Sequence, residues 1–453
     1  MSRGMIPAGP YALLKAQDGT AFPYYIVPFD KNGDCIAPET RAHLVAAAAT
    51  HSDVFFFSHG WNNDWEAATQ RYREFIEGYQ AQRKVLRLPL PTNYKPLLVG
   101  IFWPSQAMAW FEDEHGPQMA SHDPVAQARR DKVAEALVAD IAADLPGAQR
   151  ARFYALAQSD ALNADEAREF ARLLASVATP DMEQGDGARD ADDLLLAAGA
   201  DAAIAASDVD AAEPNYDDTG ATAVASDASL SAAGWLDKLD PRNLIKPFTV
   251  WQMKDRAGTV GRAGVSALLG DLLSGSEARI HLFGHSYGCK VVMEALAALP
   301  PDRVPRPVHS ATLLQAAFSH VAFAPDLPES PGTRGGFHSV LARVKGPVVA
   351  TFSADDRALH REFHLALRRR ADYGELQAAG GGDDSPPKYG ALGGFGPRPA
   401  GEVLSLQPRG VAYTFGAGGR VLGVQSTGVI TGHGEISNTH TWWLAYSNVN
   451  TDH

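Results

Sequence analysis

The pentapeptide Gly284-His285-Ser286-Tyr287-Gly288 sets a serine between two glycines in the pattern Gly-x-Ser-x-Gly. An apolar run, Arg279–Phe283, leads into it, and a helical pattern, Cys289–Leu299, leads out. In that context the pattern reads as a sharp strand-to-helix turn that lifts the Ser286 hydroxyl above the strand ends. Side chains at 284 or 288 would collide with the neighbouring strand and helix. A serine hydroxyl is a weak nucleophile at neutral pH, so Ser286 needs a base to accept its proton and an acid to orient that base.

On such a turn the partners are expected after the serine, acid first and histidine second. The acid should end the strand after next, where Asp355 and Asp356 stand side by side. One can face the site and leave the other as a turn or helix-capping residue. For the base, the last strand pattern, Val421–Ile430, runs into a loop holding His433, with His440 beyond it. His433 is flanked by Gly432 and Gly434 just past the strand and is the preferred base. His440 reads as the start of a closing helix with Trp442 and Trp443. A developing oxyanion needs backbone N–H donors already in place. Tyr287, which follows the serine, offers one. Trp61 offers the other, in the loop Ser58-His59-Gly60-Trp61-Asn62-Asn63-Asp64, where Gly60 allows close approach. Asn63 or Asp64 also suits a cap for the helix from Trp65.

Taken together, His59-Gly60-Trp61-Asn62-Asn63, Ile101-Phe102-Trp103-Pro104-Ser105, His285-Ser286-Tyr287-Gly288 and Asp355-Asp356-Arg357-Ala358-Leu359 follow one order along the chain. That set resembles a bacterial α/β-hydrolase family of unknown function with HGYNN, F-x-WPS, HSMG and NDRAL blocks. The resemblance implies an α/β-hydrolase fold and assigns the acid to Asp356, the aspartate before Arg-Ala-Leu. Tyr287 stands where the family has methionine. The likeness covers the core strands but neither the long insertion nor the region after Arg370, so it adds little to the choice of His433.

Other patterns carry less. His360 and His364 lie four apart on a predicted helix, but the glutamate between them is misplaced for a zinc-protease motif, and no metal or other cofactor is expected. The glycines from Gly258 to Gly264 lack a phosphate-loop lysine and are better explained by close helix packing. Trp103, Trp110 and Phe111 are candidates to line an acyl pocket, with core packing as the plainer reading.

These residues must be positioned by a scaffold. Apolar runs at Asp53–Ser58, Leu97–Trp103, Arg279–Phe283, Ala311–Phe318, Pro347–Phe352 and Val421–Ile430 alternate with helical patterns at Glu39–Thr50, Trp65–Arg83, Thr259–Ser274, Cys289–Leu299 and His360–Arg370. That alternation predicts an α/β fold with a mostly parallel sheet flanked by helices. Tyr11–Ala16 and Tyr24–Phe29, joined through Asp18-Gly19, read as an antiparallel hairpin. Residues 1–104 and 247–453 form the expected core. Residues 105–246 form an expected lid-like insertion, helical over Asp123–Leu174 and flexible over the Ala/Asp/Gly-rich stretch Asp181–Ala233. Gly374–Pro408 reads as a surface excursion.

Composition limits the partners. A formal net charge of −13 argues against nucleic acid and anionic membranes. Two distant cysteines make no disulfide framework, and no run is long enough to span a bilayer. With no signal-like N-terminus, a cytoplasmic protein is expected. The predicted activity is carboxylic-ester hydrolysis through an acyl-enzyme, on a small-molecule or lipid ester, with esterase favoured over lipase. Amidase, thioesterase or acyltransferase chemistry on the same residues remains open, as does a non-catalytic interaction protein of the same fold.

Overall fold

The computed structural model describes residues 6–15, 19–90, 93–106, 124–178, 189–199, 238–301, 306–328, 330–367, 369, 386–398 and 401–451. Near the middle of its sheet runs strand β3, Asp53–Ser58, in which every residue is buried. Val54 and Phe56 enter one apolar core while Phe55 and Phe57 enter another. That is the two-residue alternation a strand shows when helices cover both faces. The other strands are β1 (Ala12–Lys15), β2 (Ala21–Pro28), β4 (Pro96–Phe102), β5 (Arg279–His285), β6 (Ser310–Leu314), β7 (Val348–Phe352), β8 (Glu402–Ser405) and β9 (Val421–Gln425). They form one nine-stranded sheet in the order β1-β2-β4-β3-β5-β6-β7-β9-β8. β1 and β2 pair antiparallel and the remaining pairs run parallel. This is the α/β class with a mostly parallel sheet that the sequence predicts.

The longer helices are α1 (Pro38–Ala48), α2 (Trp65–Leu86), α3 (Pro124–Asp144), α4 (Gly147–Ala157), α5 (Ala164–Ala175), α6 (Arg242–Val260), α7 (Ser266–Gly275), α8 (Tyr287–Ala298) and α9 (Thr439–Asn450). α2 and α9 fill the core that holds Phe55 and Phe57, and α1, α6, α7 and α8 fill the other. A π-helical turn, Gly261–Val265, joins α6 to α7. A Cβ on Gly261 would lie 2.6 Å from the Val291 carbonyl oxygen, so the spaced glycines there do serve close helix packing.

Helices α3 to α5 belong to the insertion, and they share a core with the sheet through Ile141, Phe153, Phe170 and Leu174. Lys31 bridges to Asp140 at 3.1 Å and to Asp144 at 2.8 Å, and Arg256 also pairs with Asp140. Helix α6 runs without a break through residue 246, where the insertion was expected to end.

Several elements differ from expectation. Of the stretch expected to be flexible, 181–188 and 200–233 lie outside the described residues, but 191–199 form a helix. Leu194, Ala197 and Ala198 are fully buried there, because their helical spacing turns one apolar face inward despite the acidic surroundings. β6 stops at Leu314 because Gln315 adopts φ +48°, and β9 stops at Gln425, well short of Ile430. Strand β8 lies within the segment expected to be a surface excursion and pairs with β9 at the sheet edge. The predicted helix after Asp356 is a π-helical turn, Ala358–Glu362, followed by the short helix Phe363–Ala366, and 368 and 370 lie outside the described residues.

Candidate active site

At the carboxyl end of β5 the chain turns into α8 through Ser286, which has φ +54° and ψ −127°. A side chain other than glycine is costly in such backbone, and persists only where the surroundings impose it. Here they do: the Ser286 N–H donates to Leu314 O at 3.1 Å, and the Ser286 carbonyl accepts from Cys289 N at 3.0 Å. A Cβ on Gly284 would lie 2.5 Å from Cys289 Cα, and one on Gly288 would lie 2.1 Å from Ser58 O. Both glycines of the motif are therefore sterically required.

Asp356 and His433 meet in a buried pair. His433 Nδ1–H donates to Asp356 Oδ2 at 2.9 Å, with the two side chains 2% and 0% exposed. Asp356 Oδ1 accepts from Leu359 N at 3.1 Å, and Oδ2 also accepts from Gln315 Nε2 at 2.8 Å. The neighbouring aspartate does a different job. Asp355 Oδ2 accepts from Gly428 N at 2.7 Å, and Ser353 Oγ donates to Ile430 O at 2.7 Å. Together they fasten the loop after β9 to the end of β7. Further along that loop, Thr431 Oγ1 donates to Glu435 Oε2 at 2.5 Å and closes a short turn around His433. His440 sits in the first turn of α9, with Nδ1 3.5 Å from Thr439 Oγ1, and is not part of the Asp356 pair.

The Ser286 turn and the His433 loop are linked through His285. Its Nε2–H donates to the His433 carbonyl at 2.8 Å, and its Nδ1 accepts from Arg71 Nη1 at 3.3 Å. Both contacts suit a neutral imidazole with its proton on Nε2. Burial, then the nearby Arg71 and His433, hold the His285 pKa well below its usual value. The His285 and His433 rings stand 5.0 Å apart. No hydrogen bond joins His433 Nε2 to Ser286 Oγ.

The third component is the loop after β3. A Cβ on Gly60 would lie 2.6 Å from Ser286 Cβ, so this backbone runs directly over the serine. The loop is braced from beneath. His59 Nδ1–H donates to Gly60 O at 2.8 Å, and its Nε2 accepts from Trp103 N at 3.3 Å. Burial drives the His59 pKa down to about 3, so it stays neutral. The Trp103 ring stacks on His59 at 5.4 Å and donates Nε1–H to His59 O at 3.0 Å. Ser105 O accepts from Asn62 N at 2.9 Å, and Ser105 Oγ bonds Asn63 N at 3.2 Å. Asn62 takes φ +55°, and Asp64 caps α2 by accepting from Ala67 N at 2.8 Å. Trp61 and Tyr287, the two expected oxyanion donors, bring their rings to 5.9 Å.

Trp61, Asn62, Arg71, His285, His433 and Gly434 line a cleft of about 70 Å³. Trp103 is wholly buried and braces the loop instead of lining an acyl pocket, while Trp110 and Phe111 lie outside the described residues. His360 and His364 pack around Phe395, with ring distances of 4.4 and 6.5 Å. No protein family, curated protein or solved structure matches this chain. The likeness in four short blocks therefore rests on those residues alone.

Sequence reasoning missed Arg71, His285, Gln315 and Ser353. His285 was visible inside the motif. Gln315 carries no local sign, because only the sheet brings it under Asp356.

Proposed function

We propose that this chain is a serine hydrolase of the α/β-hydrolase type that cleaves carboxylic esters through an acyl-enzyme. The observation that carries the reading is the strained Ser286 turn, overlaid by the Gly60 backbone and linked through His285 to the Asp356–His433 pair. Strain at a non-glycine residue beside a cleft is a reason to look for function there.

In this mechanism Ser286 Oγ attacks the ester carbonyl and its proton passes to His433 Nε2. Asp356 fixes the ring tautomer and stabilises the imidazolium without taking the proton. The oxyanion is received by the N–H groups of Trp61 and Tyr287. As the tetrahedral intermediate collapses, the carbon–oxygen bond breaks and the alcohol leaves with the proton from His433. Water then gives its proton to His433 and its hydroxide to the acyl carbon, which releases the acid and restores Ser286. The small, partly polar cleft favours esterase over lipase, and the blocks described above support membership of the bacterial α/β-hydrolase family they resemble. Among the described residues no helix is long and apolar enough to cross a membrane.

The test is hydrolysis of p-nitrophenyl esters of increasing chain length. Turnover highest for short acyl chains and lost in Ser286→Ala supports the reading. Turnover unchanged in Ser286→Ala refutes it.

A further inference from the structure

Resting on that hydrolase reading, we propose that His285 is a positioning residue for the base: its Nε2–H, aimed by Arg71, holds the His433 main chain so that the imidazole can meet Ser286. His285 acts through His433 and needs no contact with the ester.

The sequence around the base supplies little stiffness of its own. Gly432 and Gly434 stand on either side of His433, and glycine leaves the adjoining peptide planes many orientations. The bonds between Asp355 and Gly428, Ser353 and Ile430, and Thr431 and Glu435 fasten the loop at other residues. Asp356 holds the His433 ring through Nδ1 at 2.9 Å, but a ring fixed at one atom can still swing with its own backbone. His285 supplies a second fixed point by donating from Nε2 to the His433 carbonyl at 2.8 Å. It is the buried last residue of β5, paired with Leu314 of β6, so the donor is rooted in the sheet.

The direction of this bond is fixed by chemistry. A guanidinium can only donate and a carbonyl can only accept. Arg71 Nη1, 3.3 Å from His285 Nδ1, therefore keeps the ring proton on Nε2, where it faces the His433 carbonyl. Burial, Arg71 and His433 also keep the ring neutral, as that tautomer requires. A misplacement of about 1 Å is enough to cost ~10²-fold in rate. Because the tether does not bind substrate, its loss should fall on kcat and leave KM nearly unchanged.

Two amides of different length separate this role from general stability. In His285→Gln the side-chain N–H reaches as far as Nε2, whereas in His285→Asn it reaches only as far as Nδ1 and falls short of His433. Both are assayed on p-nitrophenyl acetate beside wild type and Ser286→Ala, and their melting temperatures are followed. We expect His285→Asn to lose about 10- to 100-fold in kcat with KM within a few-fold. His285→Gln should recover most of that loss although the two variants melt at similar temperatures. Wild-type kcat in His285→Asn, or equal losses in the two variants, overturns the proposal and leaves the hydrolase reading intact. A loss confined to melting temperature marks the bond as structural and overturns it too. If His285→Asn does not fold, His285→Gln decides alone: kcat within ~10-fold of wild type upholds the tether, and a larger loss overturns it. A wild type that does not cleave the ester, or cleaves it no better than Ser286→Ala, refutes the hydrolase reading and this role with it.

Discussion

The sheet carries two Asp–His pairs with a serine close by, one at each end of its strands. At the amino ends, His281 joins Asp53 through Nε2 at 3.0 Å and Ser310 through Nδ1 at 2.9 Å. At the carboxyl ends, His433 joins Asp356 at 2.9 Å near Ser286. Both sets are almost completely buried, so burial does not distinguish them. Their surroundings do. Ser310 lies in regular β6 directly opposite His281, whereas Ser286 is forced to φ +54°. Asp53 is further held by Arg279 at 2.7 Å and Ser52 at 2.6 Å. Burial pushes the Asp53 pKa up, but the hydrogen bond and charge of His281, with Ser52 and Arg279, outweigh it and leave the carboxyl below its usual range. The carboxyl-end set instead has a glycine backbone over its serine and a cleft beside its histidine. Burial and an aspartate–histidine hydrogen bond are therefore common to both sets, and the strained backbone at Ser286 and the cleft beside His433 set them apart.

The largest contrast should come from the serines. Ser286→Ala is expected to lower kcat on a short-chain ester by about 10⁶. Ser310→Ala should keep kcat within a few-fold, and equal losses in both would erase the distinction. Next come the acids. Asp356→Asn should cost about 10⁴ in kcat by favouring the wrong tautomer of His433. Asp53→Asn should spare kcat and instead lower the urea-unfolding free energy by about 3–5 kcal/mol, because it breaks a buried charge network. Should Asp53→Asn abolish turnover and leave stability intact, the two networks have been assigned the wrong way round.

A smaller effect sharpens the carboxyl-end network. Gln315 is a side-chain donor to Asp356, as Ser52 and Arg279 are to Asp53, and removing its hydrogen bond to a carboxylate is worth about 1.5–3 kcal/mol. Gln315→Ala should therefore reduce kcat about 10- to 100-fold with KM little changed. A wild-type kcat in that variant would remove Gln315 from the account.

The smallest effect is in pH. His59 and His285 have folded pKa values held below the ordinary value near 6.5, so the unfolded chain binds protons that the folded chain excludes. Their contribution to stability is complete above about pH 6.5 and is lost progressively as pH falls towards the folded value, about 3 for His59. In His59→Gln the fall in melting temperature between pH 6.5 and 4 should be shallower than in wild type. An unchanged slope would contradict the burial argument.

Much of this scaffold was legible because strands buried on both faces leave long apolar runs: Asp53–Ser58 was read with its observed limits. The elbow was legible because its glycines answer to local sterics. What escaped were features set by tertiary packing. Trp103 and Ser105 could be listed as part of a block, but their role as braces for the Gly60 loop depends on β3 and β4 pairing in register. The two aspartates could not be told apart by residue type; the fold separates them by giving Asp356 to His433 and Asp355 to Gly428. β8 was missed because a short, largely exposed edge strand leaves no apolar run.

The most direct test of the central claim is peptide mass spectrometry after treatment with a fluorophosphonate. One stoichiometric adduct is expected, on Ser286, lost in His433→Ala and retained in His440→Ala. An intact protein that forms no adduct, or one modified on another serine, would contradict it.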